Sequence, residues 1–149
     1  LYAGFYPSWS WDRFESLQST FGINPRCSFR RLSKGMQKQA VFWAGISARP
    51  EVMILDEPSV YLDLAGREFL LKTIEELAET RPDLTIVFIT QRIEDILPVF
   101  NRGMILNSGE IVAHGSRDEV LTEENLKDAF GLDIQLIKTE KGRLWTVIR

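Results

Sequence analysis

Val52-Met53-Ile54-Leu55-Asp56-Glu57-Pro58 is the stretch on which the reading of this chain turns. Four consecutive apolar residues predict a fully buried strand that ends at the Asp-Glu-Pro sequence. Adjacent side chains at a strand exit point in different directions, so the two carboxylates can take distinct tasks. One can hold Mg2+ directly or through water, while the other orients or deprotonates an attacking water. An isolated Asp-Glu pair reads as readily as a solvated or structural feature. The apolar run in front and Pro58 behind favour the chemical reading.

Downstream, Leu70, Leu71, Ile74, Leu77 and Ala78 recur at helical spacing between Leu64 and about Thr80. Asp63 stands just before that helix, where it can be an N-cap or something more. A second strand is expected over Thr85–Ile89, followed by Thr90 and Gln91. Strand, helix and strand in this order predict a parallel sheet with a crossover. Ligands meet such sheets at the carboxyl ends of the strands, and Asp56, Glu57 and Gln91 all fall there. Gln91 can donate and accept hydrogen bonds, and so contact a terminal phosphate or position water, but it cannot carry charge. It can equally be an ordinary loop amide. Further on, Met104–Leu106 and Ile111–Ala113 read as a hairpin around Asn107-Ser108-Gly109-Glu110. Glu119 to Phe130 is mostly helical with a break at Thr122, and Ile134–Lys138 and Leu144–Ile148 form two strands flanking Lys141-Gly142.

Upstream, Ser33-Lys34-Gly35-Met36 opens a helix that runs to about Ser47, with Pro50 closing the segment. The first amides of a helix are unsatisfied and lie at its positive end. With the Ser33 hydroxyl and Lys34 they can bind phosphate, and Gly35 permits close backbone approach. Taken alone, the same residues describe a capped helix start. Earlier still, Ser10 can cap a short helix through Phe14 and Leu17, ended by Gly22 and Pro25. Phe5, Tyr6, Trp9, Trp11 and Phe14 read as the packing of a small helical subdomain or as a partner surface.

Composition narrows the function classes. The chain has 149 residues, 44% hydrophobic and 26% charged, which suits one soluble globular unit. A net charge of -3 with 18 scattered basic residues supplies no footprint for nucleic acid, so no nucleic-acid partner is expected. No apolar run is long enough to span a membrane, and no signal-peptide pattern is visible. Cys27 is the one cysteine and His114 the one histidine. That excludes an intrachain disulfide and a zinc cluster, suits a reducing cytosolic location, and leaves Cys27 as an unreactive structural residue.

The order of these elements resembles the ATP-binding cassette (ABC) ATPase family over nearly the whole chain. Leu32-Ser33-Lys34-Gly35-Met36-Gln37 resembles the signature motif and Val52–Glu57 the Walker B strand with its glutamate. Ser59-Val60-Tyr61-Leu62-Asp63 resembles the D-loop, and Thr90-Gln91-Arg92-Ile93-Glu94-Asp95 the switch region. The resemblance implies an α/β fold: a partial P-loop NTPase fold of ABC ATPase type, with a mainly parallel sheet core, a helical subdomain segment and C-terminal hairpins. It divides the chain into residues 1–45 with the signature helix, 46–115 with Walker B, D-loop and switch, and 116–149 with C-terminal helices and hairpin.

Roles follow from the same resemblance. Asp56 would support Mg2+, and Glu57 would polarise the attacking water. Ser33, Lys34, Gly35 and Met36 would form the surface that contacts the gamma-phosphate of ATP held by a second ABC ATPase domain. Asp63 would couple the two sites, and Gln91 would stand at the switch position. The expected function is an ATP-binding and ATP-hydrolysing subunit of an ABC transporter, cytoplasmic and peripheral on the inner face of the membrane, docked on transmembrane permease subunits. The alternative is a degenerate, noncatalytic nucleotide-binding or dimerisation module of the same fold. A cassette acting in DNA repair or translation fits less well, because neither a coiled-coil insertion nor a tandem second cassette is seen.

Departures from the family pattern carry consequences. Lys34 replaces the usual first glycine of the signature and Met36 its glutamine, as in some transporter branches. Gln91 stands where histidine is usual, which predicts slow hydrolysis. No Gly-rich loop ending in Gly-Lys-Ser or Gly-Lys-Thr occurs in the 149 residues, nor does a Q-loop. Both are expected upstream of Leu1, and the chain alone is expected not to turn over ATP appreciably. Glu119-Val120-Leu121-Thr122-Glu123-Glu124-Asn125-Leu126 with Phe130-Gly131 resembles the tail of importer ATPases for iron complexes and molybdate. Phe5-Tyr6-Pro7-Ser8-Trp9 and Lys34-Gly35-Met36 also resemble ATPases of exporters or of another class of permease.

Overall fold

Short polar residues fix where the helices begin. In the computed structural model, which describes Gly4 and residues 6–149, Ser10 caps α1 (Trp11–Phe21) by accepting from Arg13 N–H. Ser33 caps α2 (Lys34–Ser47) through Met36 N–H, and Asp63 caps α3 (Leu64–Thr80) through Gly66 N–H. Each cap satisfies one of the amides that a helix start leaves without a partner. Gly22 ends α1 at φ 62°, a left-handed position that glycine adopts without a Cβ clash. The chain divides into two compact units, residues up to Ile89 and Thr90–Arg149.

In the first unit, β1 (Val52–Asp56) pairs in parallel with β2 (Thr85–Ile89), with α3 as the crossover between them. The register sets Met53 against Ile86, Leu55 against Phe88 and Asp56 against Ile89. The apolar stripe of α3, Leu70, Leu71, Ile74 and Leu77, is buried with Phe42, Trp43 and Met53. A fully buried aliphatic or aromatic side chain of this kind stabilises the fold by about 1.5–3 kcal/mol. The expectation that β1 is buried on both faces is corrected here. Met53 is buried, whereas Val52 and Ile54 are 55% and 65% exposed, and Val87 and Ile89 on the paired strand are also exposed. The strand shows the alternation of a sheet covered on one face.

The aromatic opening packs. Phe14 stacks on Trp43 with ring centroids 3.9 Å apart, Phe21 stacks on the same indole at 5.8 Å, and Trp43 Nε1 donates to Phe14 O. Trp9, Trp11 and Phe14 meet pairwise within 5.9 Å. Core packing therefore accounts for Phe14, whereas Tyr6 and Trp11 are exposed, and Phe5 lies outside the described residues. Cys27 is exposed rather than packed.

The second unit holds two antiparallel hairpins and two short helices. Strands β3 (Arg102–Asn107) and β4 (Glu110–Ser116) close through Ser108 and Gly109, both at positive φ, as a two-residue hairpin turn of this hand requires. α4 (Arg117–Val120) and α5 (Glu123–Phe130) are separated where the sequence predicts a break, with Thr122 capping the second. β5 (Ile134–Lys138) pairs with β6 (Leu144–Ile148), and Val120, Leu126, Ile134 and Leu144 are buried.

Ser116 and Glu119 form a reciprocal capping box at α4. The Ser116 hydroxyl, and after it the Ser116 N–H, hold the Glu119 carboxyl below its ordinary value. Stability from a depressed carboxyl is present above the unfolded value of about 4.3 and is lost as pH falls through the lower folded value. Ser116→Ala is therefore expected to lower the unfolding midpoint at neutral pH, and by less at acid pH. Urea unfolding midpoints of parent and variant at neutral and acid pH check this. A difference that does not shrink on acidification rules out the carboxyl's part.

Candidate functional site

Three sequence-predicted features meet at one end of the first unit: the start of α2, the exit of β1 and the 57–63 segment. Glu57 continues the sheet by one bond, its N–H donating to Ile89 O at 2.9 Å, and then turns the chain at φ 44°. Tyr61 is at φ 70°. Left-handed backbone at a residue with a side chain costs on the order of 1 kcal/mol or more, and such strain concentrates at functional positions. Two turn-like bonds hold the segment, Val60 N–H to Glu57 O at 3.3 Å and Leu62 N–H to Ser59 O at 3.2 Å, with Ser59 buried.

Gly35 packs closely against the loop. A Cβ added there would lie 3.1 Å from the Tyr61 carbonyl oxygen and 3.2 Å from Leu62 Cδ2. A side chain there would require the loop to give by a few tenths of an ångström. Gln37 fixes the approach to α2 by donating to the carbonyls of Phe29 and Leu32 at 3.2 and 3.1 Å. On the next turn, Lys38 donates from its ammonium group to Glu57 O and sits 5.8 Å from the centroid of the Tyr61 ring. Lys34, Lys38, Asp56, Tyr61 and Leu62 share the lining of a cavity of about 480 Å3 with mainly apolar neighbours.

The other predicted residues take these places. The Ser33 hydroxyl accepts Met36 N–H at 3.2 Å, and Ser33, Lys34 and Met36 are exposed at the helix start. The Asp63 carboxylate accepts Gly66 N–H at 2.7 Å, so the N-cap part of its reading is realised. Asp56 is exposed at the carboxyl end of β1. Among the described residues no group of three or more His, Cys, Asp or Glu gathers for a metal.

Gln91 belongs to the second unit and is exposed. Beside it Thr90 Oγ1 accepts Arg92 N–H at 3.0 Å. Glu94, from the same stretch, is tied to the C-terminal hairpin: its carboxylate accepts the Thr146 hydroxyl at 2.5 Å, and its carbonyl accepts Arg143 at 3.0 Å. Lys38 and Thr146 are contacts that the sequence reading did not contain. For Lys38 the usable signal was its three-residue spacing from Gly35, which puts both on one helix face. For Thr146 there was none.

No family model matches the chain. In sequence it is similar to the ABC transporter ATP-binding protein YlmA of Bacillus subtilis, 36% identical over 109 residues, which is 73% of this chain and 41% of YlmA. It is also similar to the energy-coupling factor transporter ATP-binding protein EcfA1 of Listeria innocua, 37% identical over 129 residues, covering 85% of this chain and 45% of EcfA1. The chain thus spans less than half the length of either relative. In structure it is similar to an inward-facing ABC transporter described as of metal-chelate type, with a TM-score of 0.77 at 23% identity, over 93% of this chain and 57% of the other. The dimeric bacterial ABC transporter cassette MJ0796 aligns with a TM-score of 0.60 at 20% identity, over 70% and 46% of the two chains. No helix among the described residues is long and apolar enough to cross a membrane.

Proposed function

We infer that this chain, an ABC-transporter-type ATP-binding domain by fold and by relatedness to YlmA and EcfA1, is the signature and catalytic-carboxylate part of a transport ATPase. The observation that carries the reading is the close approach of Gly35 to the Tyr61 carbonyl. It sets a phosphate-competent helix start beside a strained loop that leads back to two carboxylates. ATP and Mg2+ are the ligands these residues fit. Mg2+ supplies charge neutralisation on the phosphates, and Asp56 would hold it. Glu57 would orient and deprotonate water, and Asp63 would brace the loop between paired domains. Ser33, Lys34, Gly35 and Met36 would face the gamma-phosphate of ATP bound to a second cassette, and permease subunits would receive the work.

The sequence pattern from Glu119 to Gly131 supports an importer of iron complexes, molybdate or related metal compounds as the parent system. The competing reading, a noncatalytic pairing module, draws on Gln91 at the switch position.

The test is mass measurement of the complete protein by light scattering with Mg2+ and either ATP or ADP. ATP is expected to raise the mean mass above that of the monomer, toward that of a pair, and ADP to leave it monomeric, while Gly35→Asp prevents the ATP-dependent pairing. Pairing that ignores the nucleotide would favour the noncatalytic module.

A further inference from the structure

We propose that Lys38 is a positioning residue that ties the start of α2 to the carboxylate exit of β1, an inference that rests on the ATPase reading above. Its ammonium group donates to the carbonyl oxygen of Glu57, an acceptor that also takes Val60 N–H at 3.3 Å. The same ammonium lies 5.8 Å from the Tyr61 ring centroid, within range of a cation–π attraction. Glu57 and Tyr61 are the residues of this segment held at positive φ, 44° and 70°. One cation therefore reaches both residues of the 57–63 segment that hold positive φ, the first through its carbonyl and the second through its ring.

Gly35, three residues earlier on the same face of α2, abuts the Tyr61 carbonyl. The helix face thus grips the loop twice, once by close packing and once by charge. A shift of α2 as a phosphate seats at Ser33 and Gly35 is passed to the main chain of Glu57 through the Lys38 ammonium. A neutral side chain of similar length removes the charged donor from Glu57 O and the cation from the Tyr61 ring. Arginine keeps a charged donor of comparable reach.

In the complete protein, Lys38→Met is expected to lower kcat about tenfold with KM for ATP within about twofold of the parent, and Lys38→Arg to recover most of the loss. Amide exchange at Val60 and Leu62, read without nucleotide, is expected to quicken in Lys38→Met and to match the parent in Lys38→Arg. Parent-like kcat with parent-like exchange in Lys38→Met overturns the proposal. So does an effect on KM alone, which would make Lys38 a nucleotide contact. Equal losses in both variants with a lowered unfolding midpoint would reduce it to packing. A parent that turns over no ATP defeats the ATPase reading instead, and the exchange comparison by itself then decides for or against the Lys38 tie.

Discussion

Glu57→Gln in the complete protein is expected to lower ATP turnover by about 10²–10⁴-fold, the range over which a positioned general base acts. The substitution exchanges one carboxylate oxygen for an amide nitrogen and leaves the main chain alone. The bonds from Glu57 N–H to Ile89 O, and from Lys38 and Val60 to Glu57 O, all use backbone atoms and survive. What disappears is the ability to take a proton from water. The ATP-bound pair should therefore persist, and light scattering at equal ATP should show more dimer than the parent gives. Turnover within about threefold of the parent would mean that Glu57 is a strand-end residue with no part in the chemistry. Loss of turnover together with loss of pairing would mean that the side chain holds the loop rather than the water.

The sequence was legible wherever a residue acts on its own neighbours. Ser10, Ser33 and Asp63 cap the helices they precede because a short oxygen-bearing side chain reaches an amide three residues on. Thr122 interrupts the α4–α5 stretch for the same reason. It was less legible where the partner is remote. Val52 to Leu55 announces a strand, but how many of its faces are covered depends on elements that the run does not encode, and Val52 and Ile54 are exposed. Lys38 meets a main-chain carbonyl 19 residues away, an acceptor that every residue carries and that no pattern marks. Glu94, read as part of a switch stretch, finds Thr146 at a separation of 52 residues, through a fold that only the assembled second unit defines. Asp56 and Glu57 stand at the strand exit that the sequence marks, because an apolar run and the polar residues that end it are local features. The Lys38 contact to Glu57 O was missed because its chemistry is generic and its setting is tertiary.

Gln91→His is expected to raise turnover of the complete protein by about 10–100-fold, somewhat less than the loss from removing one transition-state donor at a preorganised site. Gln91 follows the end of β2 by two residues, at the position that resembles the family's switch. Glutamine offers a hydrogen-bond donor there but no charge. Histidine offers a donor at every pH and a cation below about 6.5, so the gain should grow as pH falls through that value. The same exchange should leave KM for ATP nearly unaltered, because a group that acts on charge developing in the transition state changes kcat. If kcat does not rise, slow turnover is not the work of Gln91. Attention then passes to Lys34 and Met36, the other departures, which stand exposed at the start of α2. Restoring glycine and glutamine at those positions should then act on pairing rather than on the chemical step, and the two causes separate by whether kcat or ATP-dependent dimerisation moves.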